Sequence, residues 1–172
     1  MISKKVLQKI YQKEKIISEN LAPLGPSDLV IILDGLKPDY NVGKIFRSCE
    51  AFGISQVLMI NIPFFDTRIA QGCFRKVKTQ SFDNFEICYR WIKENNYQLF
   101  AFDLKGSQFL HDEVLPLKAA FLFGHEEFGP SFKLEDFPEI KPLKIRQKGQ
   151  VESLNVSVAA SISIYEYNCQ HP

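Results

Sequence analysis

Leu29-Val30-Ile31-Ile32-Leu33 is an unbroken apolar run. A strand with one wet face alternates polar and apolar residues. A run without alternation reads instead as a strand buried on both faces, the mark of a parallel sheet. Similar runs recur at Val57-Leu58-Met59-Ile60, Leu99-Phe100-Ala101-Phe102 and Ala120-Phe121-Leu122-Phe123.

Helical spacing falls between these runs. Val42, Ile45, Phe46, Cys49 and Phe52 repeat at three and four, and Gly53 is placed to end that helix. Phe85, Cys88, Tyr89 and Ile92 form a second stripe, and a last helix is expected from near Ser153 to about Tyr167. Residues 2–19 read as an amphipathic helix, followed by the Pro- and Gly-broken link Leu21 to Pro26. Strands alternating with helices predict a single α/β domain with a mainly parallel sheet flanked by helices. The expected division is residues 1–27 as helix and linker, and residues 28–172 as the domain proper.

The 172 residues suit one domain. No apolar run approaches the roughly 20 residues of a membrane helix. The start, Met1 to Lys5, lacks a signal-peptide pattern, so a cytoplasmic address without a membrane partner is expected. The four cysteines form no CxxC pair and no His stands at metal-ligand spacing, so neither a metal site nor structural disulfides are expected. Cys49 and Cys88 read as small buried thiols. The net charge is only +1, yet Arg68, Arg75, Lys76 and Lys78 cluster without an acid. Such a stretch suits RNA phosphates or, equally, a scattered solvated surface.

Neither GxGxxG nor GxxxxGK[ST] occurs. Glycines do follow apolar segments, in Gly124-His125-Glu126-Glu127-Phe128-Gly129 and in Arg146-Gln147-Lys148-Gly149. Ligands of open α/β sheets bind at strand carboxyl ends, which makes these two loops the candidates for a cofactor site.

Three segments together become specific. Asn41-Val42-Gly43-Lys44-Ile45-Phe46-Arg47-Ser48-Cys49-Glu50-Ala51-Phe52-Gly53 resembles the first motif of SpoU-type (SPOUT superfamily) RNA methyltransferases. Leu122 to Gly129 resembles their second, and Ile145 to Ala159, with Ser153-Leu154-Asn155-Val156-Ser157-Val158-Ala159, their third. The resemblance covers about residues 28–168. It implies a C-terminal trefoil knot, S-adenosylmethionine as cofactor, a homodimer with a shared active site, and methylation of a ribose 2′-hydroxyl in transfer or ribosomal RNA. A non-catalytic RNA-binding protein of the same fold and a base-methylating relative are the alternatives. The third motif commonly continues with Pro and Met after its Ile; Arg146 and Gln147 stand there in this chain.

Carried over by position, Arg47, Asn41, Glu126, Ser153 and Asn155 are the expected catalytic residues. Phe123, Gly124, Gly129, Ile145, Gly149, Ser153 and Leu154 are the expected cofactor contacts. Arginine is a poor base because its pKa exceeds about 12, so Arg47 is expected to position the substrate and stabilise oxyanion charge. Asn41 could also serve as a helix N-cap. Glu126 could hold Arg47 or accept another hydrogen bond, while His125 reads as a loop residue.

Overall fold

The computed structural model describes residues 3–38, 40–103, 106 and 108–172. Among the described residues, seven parallel strands form one sheet: β1 (Val30–Asp34), β2 (Gln56–Ile60), β3 (Thr79–Phe82), β4 (Gln98–Phe102), β5 (Gln108–Phe109), β6 (Ala119–Phe123) and β7 (Lys141–Lys144). Their order is β3-β2-β1-β6-β4-β7-β5, and every pairing is parallel. The helices are α1 (Lys4–Asn20), α2 (Tyr40–Ala51), α3 (Phe85–Glu94) and α4 (Val156–Gln170).

The apolar runs at the centre are buried residue by residue in β1, β2 and β6. Side chains alternate across a strand, so β1 feeds two cores. Ile31 and Leu33 join one with Phe46 of α2, Ile164 of α4 and Tyr11 of α1. Val30 and Ile32 join the other with Phe85, Cys88 and Ile92 of α3. Cys49 and Cys88 are the expected buried thiols, and burial pushes the Cys88 thiol up to about 12.

Several expectations shift. Ile2, with which the sequence reading begins the first helix, lies outside the described residues. α2 stops at Ala51 and Gly53 closes it as expected: Gly53 has φ 62° and its N–H donates to the Glu50 carbonyl at 3.2 Å. α4 starts at Val156, three residues later than expected, because the Asn155 side chain caps it by accepting from the Ser157 N–H at 2.9 Å. β3, β5 and β7 carry no long apolar run and emerge only in the folded sheet. β7 reads Lys-Pro-Leu-Lys, and proline argues against an interior strand because it cannot donate to the ladder. α1 is tied to the domain: Tyr11 stacks on Phe74, and the Ser18 hydroxyl donates to the Val77 carbonyl at 2.6 Å. Among the described residues, no helix is long and apolar enough to cross a membrane.

Candidate active site

Parallel strands point their carboxyl ends to one edge, so the loops after β4, β6 and β7 converge there. A cavity of about 540 Å³ opens at this edge, against the N-terminus of α4. Its apolar wall includes Phe102, Phe123, Leu143, Ile145 and Leu154, and its polar lining includes Asp103, Glu126, Gln147, Ser153 and Asn155.

The loop after β6 is a closed turn. His125 and Gly129 exchange two backbone hydrogen bonds, at 2.9 and 2.8 Å. Gly129 has φ 73°, which glycine adopts without strain. A Cβ on Gly124 would stand 2.4 Å from the Pro130 nitrogen, so only glycine fits the neck of this turn. The His125 Nδ1 accepts from the Glu127 N–H at 3.1 Å, which uses the ring inside the turn. Asp34, at the end of β1, accepts from the Ser131 N–H at 2.7 Å and anchors the far side. Burial pushes the Asp34 carboxyl above its ordinary value, against the lowering effect of that hydrogen bond.

A directional relay joins the three motif segments. The Asn155 Oδ1 accepts from the Ser157 N–H, which turns its Nδ2 outward to donate to Asn41 Oδ1 at 3.0 Å. Asn41 Nδ2 then donates to Glu126 Oε1 at 3.0 Å. The Lys37 N–H donates to the other oxygen of Glu126 at 3.2 Å, and the Lys37 ammonium pairs with Glu127 at 2.7 Å. That ammonium holds the exposed Glu127 carboxyl below its usual range. Each donor meets an acceptor, and the chain ends on a carboxylate. Asn41 sits inside α2, not before it, so it does not cap the helix.

The structure brings together Phe123, Gly124, Glu126, Gly129, Ile145, Ser153, Leu154 and Asn155 as cavity-lining residues, and ties Asn41 to two of them. Gly149 is a correction: it is exposed and outside the lining, because the third loop turns toward the cavity at Gln147 instead. Arg47 lies apart from these residues, on the exposed side of α2, in a separate depression of about 520 Å³ with Lys44, Ser48 and Gln71. Glu126 therefore holds Asn41 and the Lys37 backbone rather than Arg47. Gln147 and Asp103 were not anticipated as cavity residues. The departure of the third motif from its usual Pro-Met was the available signal for Gln147.

Arg146 turns away. Its guanidinium lies 4.5 Å from the centre of the Phe109 ring and pairs with Asp112 at 3.4 Å. Of the four cations expected to meet RNA, Arg68 is paired with Asp66, Lys76 with Glu50, and Lys78 donates to the Glu19 carbonyl. Arg75 is exposed and makes no side-chain hydrogen bond or ion pair among the described residues. No cluster of three or more potential metal ligands exists among the described residues.

The model of the SpoU rRNA methylase family matches residues 28–165. The tRNA (guanosine(18)-2′-O)-methyltransferase of Thermus thermophilus is 29% identical over 144 residues, covering 81% of this chain and 73% of the relative. Among solved structures, the TrmH/SpoU tRNA modifying enzyme of A. aeolicus superposes with a TM-score of 0.75 at 24% identity, covering 96% of this chain and 84% of that one. The AdoMet-bound rRNA methyltransferase of Sinorhizobium meliloti superposes with a TM-score of 0.73 at 24% identity, covering 87% of this chain but only 59% of that one.

Proposed function

The chain belongs to the SpoU rRNA methylase family, and from that premise we propose that it is an S-adenosylmethionine-dependent RNA methyltransferase acting on a ribose 2′-hydroxyl. The substrate is transfer or ribosomal RNA, with transfer RNA the first to test, as for the Thermus relative. The address is the cytoplasm. Residues 28–172 are the methyltransferase domain, and residues 1–27 a helix and linker packed on it. β7 lies between β4 and β5, which are consecutive in the chain; this insertion supports the trefoil knot that the resemblance implies.

The observation that carries the reading is the cavity whose lining residues Asn155 and Glu126 are joined through Asn41. Its volume lies within the roughly 300–1,000 Å³ usual for small-molecule sites. The cofactor combines an aromatic base, a cationic sulfonium and an amino-acid end. The apolar wall suits the base, and the carboxylates of Asp103 and Glu126 suit positive charge. The N-terminus of α4 opens toward the cavity through Asn155 and Val156, and the positive end of its dipole suits a carboxylate. The side-chain oxygen of Gln147 is buried there without a hydrogen-bond partner among the described residues. Phe123, Ile145 and Leu154 would hold the base and ribose.

Bound in the cavity, S-adenosylmethionine supplies an electrophilic methyl group. The residues of the chain have to align a ribose hydroxyl with it and steady the charge on oxygen as the proton leaves. The relay fixes the start of α4 against the turn after β6, so Asn155 and Glu126 keep one geometry, with Ser153 in the same cavity lining. The Arg47 guanidinium positions the RNA and stabilises oxyanion charge.

Since Arg47 lies outside the cavity of its own chain, the reading includes a homodimer. Val158, Ile162 and Tyr165 leave an exposed apolar face on α4, the helix that packs on α2, and Ser48 of α2 bonds Ser161 of α4 at 2.7 Å. A second copy on this face lets Arg47 serve its partner's cavity. Arg75 is the first choice for a phosphate contact.

Incubation with labelled S-adenosylmethionine and unmodified cellular RNA, followed by nuclease digestion, is expected to give an alkali-resistant dinucleotide. Arg47→Ala should lower transfer by at least 100-fold (about 2.7 kcal/mol) while cofactor affinity measured by calorimetry stays unchanged. A label on a base, or full activity of the variant, refutes the assignment.

A further inference from the structure

We infer that Gln147 is a specificity residue whose side-chain carbonyl accepts a hydrogen bond from the exocyclic amino group of the cofactor's adenine. The inference rests on the cofactor reading above. Gln147 lines the cavity, and its Oε1 is buried with no hydrogen-bond partner among the described residues. A buried acceptor without a donor is costly, so such an atom marks the place of a ligand donor. The position is set by the chain. Leu143 and Ile145 line the cavity from β7 and its end, Arg146 is drawn off by Phe109 and Asp112, and Gln147 returns to the lining.

The chemistry of the lining decides which donor. A cationic ammonium finds better acceptors in the carboxylates of Asp103 and Glu126. A neutral amide oxygen in a lining that also holds Leu143 and Ile145 suits a neutral donor on a flat apolar ring, which is the adenine amino group. Where the family's third motif commonly has Met, the side chain carries no such oxygen, so this contact belongs to the present chain.

Calorimetry on the full chain, with S-adenosylhomocysteine and S-inosylhomocysteine as probes, tests this without any turnover. The second probe replaces the amino group by a carbonyl. Wild-type protein should prefer the adenosyl probe. Gln147→Met should bind that probe about tenfold more weakly and bind the inosyl probe no worse, so the preference narrows about tenfold. Gln147→Ala should repeat the pattern. An equal loss for both probes, no loss for either, or a wild-type protein without preference overturns the assignment. If wild-type protein binds neither probe, the cofactor reading falls and this inference with it. If it binds both equally, only the role of Gln147 falls.

Discussion

Asn155 does two jobs with one amide. Its Oδ1 caps α4 and its Nδ2 donates to Asn41. The two jobs separate by substitution. Asn155→Asp keeps the capping oxygen but replaces the donor with an acceptor facing Asn41 Oδ1. Asn41 then has to rotate and abandon Glu126. This variant should keep its melting temperature within a few degrees and lose about tenfold or more in turnover, as expected for one lost positioning hydrogen bond. Asn155→Ala removes both, and should cost about 1 kcal/mol of stability in addition. Denaturant melts with single-turnover kinetics check the split; equal turnover of wild type and Asn155→Asp would remove the relay from the mechanism. Residue types at this scale were legible in advance. Asn41, Glu126 and Asn155 stand in motif positions, but their mutual bonding spans 85 and 114 residues of chain.

At the scale of elements, the end of β1 clamps the turn after β6 through Asp34. This side chain is almost fully buried, with one oxygen bound to the Ser131 N–H and the other unpartnered among the described residues. Burial raises its pKa in the folded state. A raised folded value means the folded chain holds the proton more tightly than the unfolded one. The stability that Asp34 contributes is therefore complete below its unfolded pKa, near 3.8, and is lost as pH rises through the higher folded value. Asp34→Asn keeps an acceptor for Ser131 and cannot ionise. Urea melts across this window should show the stability of wild type falling relative to the variant as pH rises, and a constant difference would refute the assignment. Element boundaries were mostly legible because β1, β2 and β6 are buried on both faces and so apolar apart from Asp34 and Gln56 at strand ends. The exceptions have local causes. β7 breaks the pattern with Pro142 and flanking lysines, and the start of α4 moves because a side-chain cap, not hydrophobic spacing, sets it.

The whole molecule presents an asymmetry. α4 buries Ala160, Ile164 and Tyr167 against its own domain, yet Val158, Ile162 and Tyr165 remain outside at 46%, 38% and 59% exposure. A helix that is apolar all round is normally covered on both sides. Ile162→Glu places a charge where the proposed partner docks. The variant should sediment as a monomer, bind S-adenosylmethionine as wild type does, and lose RNA methylation. A monomeric wild type, or a monomeric variant that stays fully active, would refute the shared site. Separation of Arg47 from the cavity is the reason to expect this coupling of assembly to activity. The same scale explains the modest electrostatics: of the four expected RNA cations, Arg68, Lys76 and Lys78 are engaged within the chain.

By itself the sequence determined the class of fold and the identity of the motif residues. Continuous apolar runs have no other stable home than a sheet covered on both faces, and SLNVSVA with its two companions is specific in composition. Which of those residues meet was decided by tertiary structure alone. Placing β6 and β7 on either side of β4 brings loops far apart in sequence to one edge, selects Gln147 over Gly149, and turns Arg47 away from the cavity of its own chain. Local spacing carries no information on such contacts, because they depend on strand order and not on the period of any single element.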